Sequence, residues 1–266
     1  MAVEQDILVS KKKGVATLTL NRPEKFNAVT QPMMIKLVKE MEKIANDDSM
    51  KVMILTGAGD AFCSGTDVSI LAKTVGGKER IKQSRHELIE PMGAMILAIA
   101  NLDKPLIAAV NGVAAGAGLS ISLLCDIRIA SEQARFGAVW VRRALVPDVG
   151  CTYLLPRLIG PDKAFEFMMT GDVINAQEAE RIGLVTRVVA HDRLMAATNE
   201  LASRIAEGPS VAVELTKRGI YRGLSNDLKT QLDYETYAQN VCRQTEDFKE
   251  GVTSFLERRK SKFKGS

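Results

Sequence analysis

The sequence predicts an α/β protein in which strands alternate with helices around a buried sheet, followed by a region that is helical throughout. Short apolar runs at 52–56 and 106–110 are typical of strands covered on both faces. Apolar residues at helical spacing follow several such runs, which indicates alternating strands and helices. From about 192 onward every apolar pattern has the helical period. We therefore expect a core over 1–191 and a helical region over 192–266.

The predicted elements have recognisable start and stop signals. Residues 15–20 alternate and are β-branched, which predicts a strand that 7–9 can pair with. Thr30 and Pro32 favour a helix start, because threonine caps free N–H groups and proline needs no N–H bond there. Further strands are predicted at 52–56, 106–110 and 127–130, and further helices at 81–100, 119–124, 192–207, 210–222, 227–245 and 247–260. Residues 69–80 show little periodicity, which predicts a mobile loop.

Composition excludes several classes of protein. The 266 residues are 46% hydrophobic and 26% charged, as in globular rather than disordered chains. No apolar run approaches the roughly 18 residues of a membrane span, and no secretory leader is visible, so we expect a soluble, cytoplasmic protein. The four cysteines lack the CxxC spacing of zinc or disulfide scaffolds. The formal net charge is only +4, which speaks against nucleic-acid and membrane partners.

Common cofactor and metal motifs are incomplete. Glycine clusters at 57–59 and 116–118 each follow a predicted strand, but neither completes the GxGxxG pattern of dinucleotide-binding proteins. No GK[ST] sequence is present, so a P-loop is excluded. With only two histidines in the chain, both a histidine-dependent hydrolase and a metal centre lack candidate residues. We therefore expect neither a metal nor a separate cofactor.

Three loops carry the chemical signal, at 62–67, 111–118 and 145–150. Small residues let two backbone segments approach a ligand, and N–H groups at a helix N-terminus favour negative charge. Two such N–H groups from different loops would form an oxyanion hole, in which each donor contributes about a hundred- to a thousandfold in rate. The alternative is that the glycines and alanines only permit tight packing, and spacing alone does not decide.

Five segments together resemble the crotonase (enoyl-CoA hydratase/isomerase) superfamily: NRPEKFNAV, TGAGDAFCSGTDV, KPLIAAVNGVAAGAG, CDIRIAS and FLERRKSKF. They occur in order over essentially the whole chain. The resemblance implies a spiral core of ββα units with two nearly perpendicular sheets, followed by helices that assemble trimers or hexamers. It also implies an acyl-CoA thioester ligand, with coenzyme A as part of the substrate, and oxyanion-hole N–H groups at Thr66 and Ala117.

The departures from the family pattern bear on the reaction. Hydratases place one glutamate where this chain has Ser120 and another where it has Trp140. Neither residue can act as a carboxylate acid or base, and we interpret Trp140 as an apolar wall of the acyl pocket. The VPD-x-G context of Asp148 resembles that of isomerase branches, most closely the isomerase of bacterial phenylacetate degradation. The resemblance implies a catalytic Asp148, whereas the residues alone also allow an N-cap for a helix near Gly150.

The resemblance also places the coenzyme A. Its adenine would meet backbone near Ala28, Ser64 and Val68, and basic side chains in NRPEK would meet its phosphates, unless that segment is simply a solvated turn. The expected substrate contacts are Arg22, Lys25, Ala28, Ser64, Gly65, Val68, Gly116, Ser120, Trp140, Lys260 and Phe263. The last two are expected to reach the adenine site, across a subunit boundary. Structural roles are expected for Asp67, Asp126 and Arg128.

Three functions remain open at this point. An acyl-CoA isomerase would shift a double bond or open an epoxide ring, because one carboxylate can move a proton between carbons while two N–H groups hold the enolate oxygen. An enoyl-CoA hydratase or lyase would use Asp148 with a water held by Ser120. A non-catalytic relative would bind RNA or assemble with partners through the basic tail, 258–264. If Asp148 is not the acid/base, Glu87 or Glu90 is the next candidate.

Overall fold

A computed structural model of the chain describes residues 6–69 and 91–266, and its strands form two sheets. Within these residues the strands are β1 (Ile7–Lys12), β2 (Val15–Leu20), β3 (Val52–Gly57), β4 (Ala61–Cys63), β5 (Leu106–Val110), β6 (Val113–Ala115), β7 (Ile127–Ser131), β8 (Arg135–Gly137), β9 (Val173–Asn175) and β10 (Arg187–Val189). One sheet has the order β1-β2-β3-β5-β7-β10 and is parallel except for the β1–β2 pair. The other has the order β4-β6-β8-β9, with β9 antiparallel to β8.

The helices alternate with these strands as the sequence predicts. They are α1 (Gln31–Ala45), α2 (Pro91–Ala100), α3 (Ala117–Leu124), α4 (Cys151–Ile159), α5 (Pro161–Thr170), α6 (Ala176–Arg181), α7 (Leu194–Ala206), α8 (Ser210–Gly223), α9 (Leu228–Arg243) and α10 (Glu246–Leu256), with 3-10 turns at Pro23–Lys25, Val139–Arg143 and His191–Arg193. The predicted cap of α1 is confirmed, since the Thr30 side chain accepts the N–H of Met33. The helix predicted over 247–260 ends earlier, at Leu256, because Arg258 adopts a left-handed backbone conformation.

Alternate residues of the central strands enter two different hydrophobic cores. In β3, Met53 and Leu55 pack into the core that contains α1, whereas Val52 and Ile54 pack against α7. Burial on both faces explains why β3 and β5 are continuous apolar runs rather than alternating ones. The α/β class, the two sheets and the helical C-terminal region expected from the sequence are therefore confirmed.

The C-terminal helices differ in how they join the core. Helix α7 buries Leu194 and Ala202 against the larger sheet, so the first helix of the predicted 192–266 region shares the core's packing. Helices α8 and α9 pack on each other, with the Tyr234 hydroxyl donating to the Leu215 carbonyl over 2.7 Å. The division at 191/192 stays a prediction.

Two further expectations concern the predicted elements between residues 69 and 90 and the absence of a membrane-spanning helix. Beyond Ser69, the loop predicted at 69–80 lies outside the described residues, as do 81–90 of the predicted helix 81–100 and the alternative acids Glu87 and Glu90. In the described part of the chain, no helix is long and apolar enough to cross a membrane.

Candidate active site

The first two predicted loops touch each other through glycines. A Cβ atom on Gly118 would lie 1.9 Å from the Cys63 carbonyl oxygen, so only glycine lets α3 start this close to the loop after β4. A Cβ atom on Gly65, which has a φ of +110°, would lie 3.5 Å from the Ala117 nitrogen. The glycines of these loops therefore bring two backbone segments together, as a site built from N–H groups requires.

The two N–H groups expected to form an oxyanion hole belong to Thr66 and Ala117, and neither is used by the helix or the bridge in which its residue lies. Ala117 is the first residue of α3, so its N–H has no acceptor within the helix. Thr66 forms a parallel bridge with Val29. In this bridge the N–H of Val29 donates to the Gly65 carbonyl, and the carbonyl of Val29 accepts the N–H of Asp67, so the bonds of Val29 go to the residues on either side of Thr66. The N–H of Thr66 is consequently directed away from Val29. This geometry supports the expected roles, which stay predictions.

A cavity of about 390 Å³ lies beside these groups. Ten of the expected site residues line it: Lys25, Ala28, Ser64, Gly65, Thr66, Val68, Gly116, Ala117, Trp140 and Asp148. Sequence reasoning did not assign Glu24, Phe26, Asp67, Val139, Arg143 and Leu145 to the site, although they line it too. All six could have been found by position. Glu24 and Phe26 adjoin Lys25, and Asp67 lies between Thr66 and Val68. The other three lie close to Trp140 in the sequence.

The Asp148 side chain is held by one neutral donor. The Trp140 indole Nε1–H donates to Asp148 Oδ1 over 2.8 Å. Trp140 is therefore more than the apolar wall expected from the sequence. The N-cap interpretation of Asp148 is wrong, because the N-cap of α4 is Gly150 and no side chain caps that helix.

The backbone after Asp148 is in a rare conformation. Val149 has a φ of +54° and Gly150 follows with +78°. A β-branched residue in this region is an outlier that costs on the order of 1–3 kcal/mol and persists only where packing enforces it. The Val149 side chain is 5% exposed, so its burial in the core offsets the strain.

Ser120 contacts the backbone of Asp148 and does not line the cavity. Its side chain is fully buried, lies outside the cavity lining, and donates to the Asp148 backbone carbonyl over 3.0 Å. The same carbonyl accepts the N–H of Cys151 over 3.0 Å. Contact between Ser120 and the substrate stays a prediction, whereas its contact with Asp148 is direct.

Two buried thiols near the site are poor nucleophiles. Burial raises the pKa of Cys63 to about 12 and that of Cys151 to about 12 as well. Both thiols are therefore protonated at neutral pH, and a thiolate is the reactive form of cysteine. Neither thiol is therefore a candidate nucleophile at neutral pH.

Arg22 and Asp67 hold the first loop together. Arg22 Nη1 donates to Asp67 Oδ2 over 3.0 Å and to the Ala28 carbonyl over 2.7 Å, and Arg22 does not line the cavity. Hydrogen bonds from Ser69 and Arg22 lower the pKa of Asp67 to about 2. Asp67 is thus a paired, ionised group suited to fixing the loop. The phosphate contact expected of Arg22 stays a prediction, and its observed contacts are structural.

The remaining expected residues lie elsewhere in the chain. Lys260 pairs with Glu207 over 3.1 Å, and Phe263 lies in a groove between the C-terminal helices. Neither lines the cavity of its own chain, so their contact with adenine across a subunit boundary stays a prediction. Asp126 accepts the Leu106 N–H and pairs with Lys217, and Arg128 donates to four backbone carbonyls, which agrees with structural roles.

No group of three potential metal ligands occurs among residues 6–69 and 91–266. The histidine within these ranges, His191, bonds through Nδ1 to the Ser131 hydroxyl over 2.9 Å, away from the cavity. The expectation of a metal-free reaction stays a prediction.

Known proteins resemble this chain over nearly its whole length. Residues 10–266 match the family described as Enoyl-CoA hydratase/isomerase. Similar proteins include the crotonyl-CoA hydratase of Syntrophomonas wolfei (36% identical, covering 97% of this chain and 98% of that protein) and the 1,2-epoxyphenylacetyl-CoA isomerase of Escherichia coli (36%, covering 97% and 98%). The crystal structure of an enoyl-CoA hydratase from Bacillus anthracis superposes with a TM-score of 0.91, at 37% identity and covering 98% and 100%. The chain belongs to the enoyl-CoA hydratase/isomerase family.

Proposed function

We propose that the protein is an acyl-CoA isomerase that shifts a double bond, or opens an epoxide ring, in a coenzyme A thioester. The observation that carries the proposal is that Asp148, Thr66 and Ala117 line one cavity. The two positions at which family hydratases carry glutamates hold Ser120 and Trp140 instead. One carboxylate suffices for isomerisation, whereas hydration needs one group to activate water and a second to supply a proton.

Asp148 is the best placed of the acidic residues that line the cavity. Among the described residues these are Glu24, Asp67 and Asp148. Hydrogen bonds from Ser69 and Arg22 lower the pKa of Asp67 to about 2, which makes it a weak base for removing a proton from carbon. Glu24 lies on the turn that carries Lys25, on the side expected to meet coenzyme A. Asp148 is left to face the acyl group, beside Trp140.

The proposed reaction is a proton shuttle. Asp148 removes a proton from the α- or γ-carbon, and the C–H electron pair moves into conjugation with the thioester carbonyl. The negative charge that develops on the carbonyl oxygen is held by the N–H groups of Thr66 and Ala117. Asp148 then returns the proton to the other carbon, so the double bond moves and no atom is gained or lost.

Incubation with 3-enoyl- and trans-2-enoyl-CoA thioesters tests this function. We expect the two thioesters to interconvert without a change of mass. A product heavier by one water would establish the hydratase alternative, which the hydratase names of similar proteins favour. No product and no thioester binding would indicate a non-catalytic relative, although the tail cations Arg259 and Lys260 are already paired with glutamates.

We further propose that the chain assembles as a trimer or hexamer through its helices after residue 192. Large apolar side chains on these helices are exposed in the single chain, including Leu228 at 75% and Phe255 at 82%. Such side chains are typical of surfaces that meet a partner. Light scattering at micromolar concentration tests the assembly, and a monomeric mass would contradict it.

A further inference from the structure

The reaction described above uses Asp148 but gives no role to the hydrogen bond that Asp148 accepts from Trp140. Trp140 is the one tryptophan in the sequence, and its side chain is 6% exposed within the main hydrophobic core. Packing fixes the indole ring, and a fixed ring fixes the direction of its N–H. The bond to Asp148 Oδ1, 2.8 Å long, is therefore made by a donor that cannot follow the carboxylate if it rotates.

The two carboxylate oxygens of Asp148 consequently differ. Oδ1 is occupied by the indole N–H, whereas Oδ2 has no hydrogen-bond partner in the part of the chain that the structure describes. Asp148 itself is solvent-exposed, so without the indole nothing among the described contacts would select one orientation of its side chain. The indole is the feature that singles out Oδ2.

The donor is also neutral, which matters for proton transfer. Arg143 lines the same cavity, yet within the described ranges Asp148 makes no ion pair. A cation bound to the carboxylate would strongly favour its ionised form and hinder it from holding a proton. A neutral indole N–H orients the carboxylate without neutralising its charge. The arrangement suits a group that must take a proton and give it back.

We propose that Trp140 is a positioning residue whose indole N–H holds Oδ1, so that Oδ2 takes and returns the substrate proton. This inference rests on the proposed function, in which Asp148 is the acid/base. In the forward step the substrate C–H bond breaks, its electron pair enters the enolate, and an O–H bond forms at Oδ2. In the return step that O–H bond breaks, a C–H bond forms at the other carbon, and the carboxylate is restored.

The single tryptophan provides a spectroscopic test. Protein labelled with 5-fluorotryptophan gives one fluorine NMR signal, which reports only on Trp140. We expect the signal to move in Asp148→Ala, which removes the acceptor, and to stay in place in Glu24→Gln, which removes a charge from the same cavity. A signal that is unchanged in Asp148→Ala would overturn the inference.

Kinetics provide the second test. Trp140→Phe keeps an apolar ring and removes the N–H, so we expect kcat to fall by about 10- to 100-fold, the range for losing a hydrogen bond to a charged group, with KM unchanged. In an Asp148→Ala background the same substitution should cause no further loss, because there is no carboxylate to position. A merely structural role would lower the rate in both backgrounds and would overturn the inference, as would a wild-type kcat in Trp140→Phe.

The outcomes separate this inference from the proposed function. A wild-type rate in Asp148→Ala contradicts the proposed function and the inference with it. A large loss in Asp148→Ala with none in Trp140→Phe contradicts only the positioning role. If Trp140→Phe does not fold, the fluorine signal of Asp148→Ala decides, because that comparison leaves the tryptophan in place.

Discussion

The loops that carry Thr66 and Ala117 and the segment that carries Asp148 line the same cavity but are built differently. The loops carry the backbone N–H groups of Thr66 and Ala117, and they approach each other at Gly118, where a Cβ would clash with the Cys63 carbonyl oxygen. The Asp148 segment offers a side chain, aimed by a tryptophan and followed by a strained valine. The loops with Thr66 and Ala117 are the backbone half of the site, since they depend on the path of the main chain. The segment with Asp148 is the side-chain half, since it depends on which residues are present.

This difference explains how the family can share a ligand class and differ in reaction. A backbone donor survives a change of side chain, so Ala117 can stand where the family commonly has glycine. A catalytic carboxylate does not survive such a change, and here the glutamate positions of hydratases hold Ser120 and Trp140. If the proposed function holds, the reaction type depends on the Asp148 segment and the thioester chemistry on the loops.

The largest effect on stability is expected for Gly118→Ala, which disturbs the contact between the two loops of the backbone half. Alanine is the better helix former, yet its Cβ would lie 1.9 Å from the Cys63 carbonyl oxygen. We expect the free energy of unfolding to fall by about 3 kcal/mol or more, as measured by denaturant unfolding. Gly116→Ala is the control, because a Cβ there meets no atom within 4 Å and only the backbone conformation, φ +54° and ψ −129°, opposes it. A loss on the order of 1–3 kcal/mol is expected for this control, from backbone strain alone. Equal losses in the two variants would show that loop contact is not what requires Gly118.

A smaller effect is expected for Ser120→Ala, which removes a support of the side-chain half. The Asp148 carbonyl keeps the Cys151 N–H as a donor, so we expect a loss of about 1 kcal/mol in stability and a rate reduced only a few-fold. Ser122→Ala is the control, since its buried hydroxyl donates to Leu119 within the same helix. A loss of rate comparable with that of removing the Asp148 carboxylate would instead indicate a water-holding serine, as in the hydratase alternative.

The smallest effect is expected in the pH dependence of the Arg22–Asp67 pair. The folded-state pKa of Asp67 is lowered to about 2, so its ionised form stabilises the fold at every pH above the unfolded value of about 4. The stability difference between wild type and Asp67→Asn should be constant above that pH and shrink as the pH falls from about 4 to about 2. Denaturant unfolding across this range measures it. A difference that grows on acidification would contradict the assignment.

Much of the fold could be predicted because its signals are local. The cap at Thr30 and the doubly buried runs of β3 and β5 depend on residues adjacent in sequence. The three-residue strands of the second sheet, such as β4 and β6, are too short to show a period, and only the family resemblance implied that sheet.

Much of the site was predictable as a set of loops but not as contacts. The Trp140–Asp148 bond depends on a 3-10 turn and a left-handed Ala144, which together reverse the direction of the chain. Residue propensities predict neither the turn nor the conformation of Ala144. Arg22 pairs with Asp67 across 45 positions, a partner that spacing cannot reveal. The phosphate contact of Arg22 stays a prediction, and Trp140 lines the cavity as expected, but the bonds that these side chains make to Asp67 and Asp148 could not be predicted from spacing.

The most direct test of the account is the isomerisation rate of Asp148→Asn, measured beside its affinity for a coenzyme A thioester. The substitution is nearly isosteric, keeps an acceptor for the Trp140 N–H and removes the group that exchanges a proton. We predict a rate lower by about 10²- to 10⁴-fold, the usual range for general acid–base catalysis, with thioester affinity unchanged. A wild-type rate in this variant would contradict the account and transfer the acid/base role to another residue.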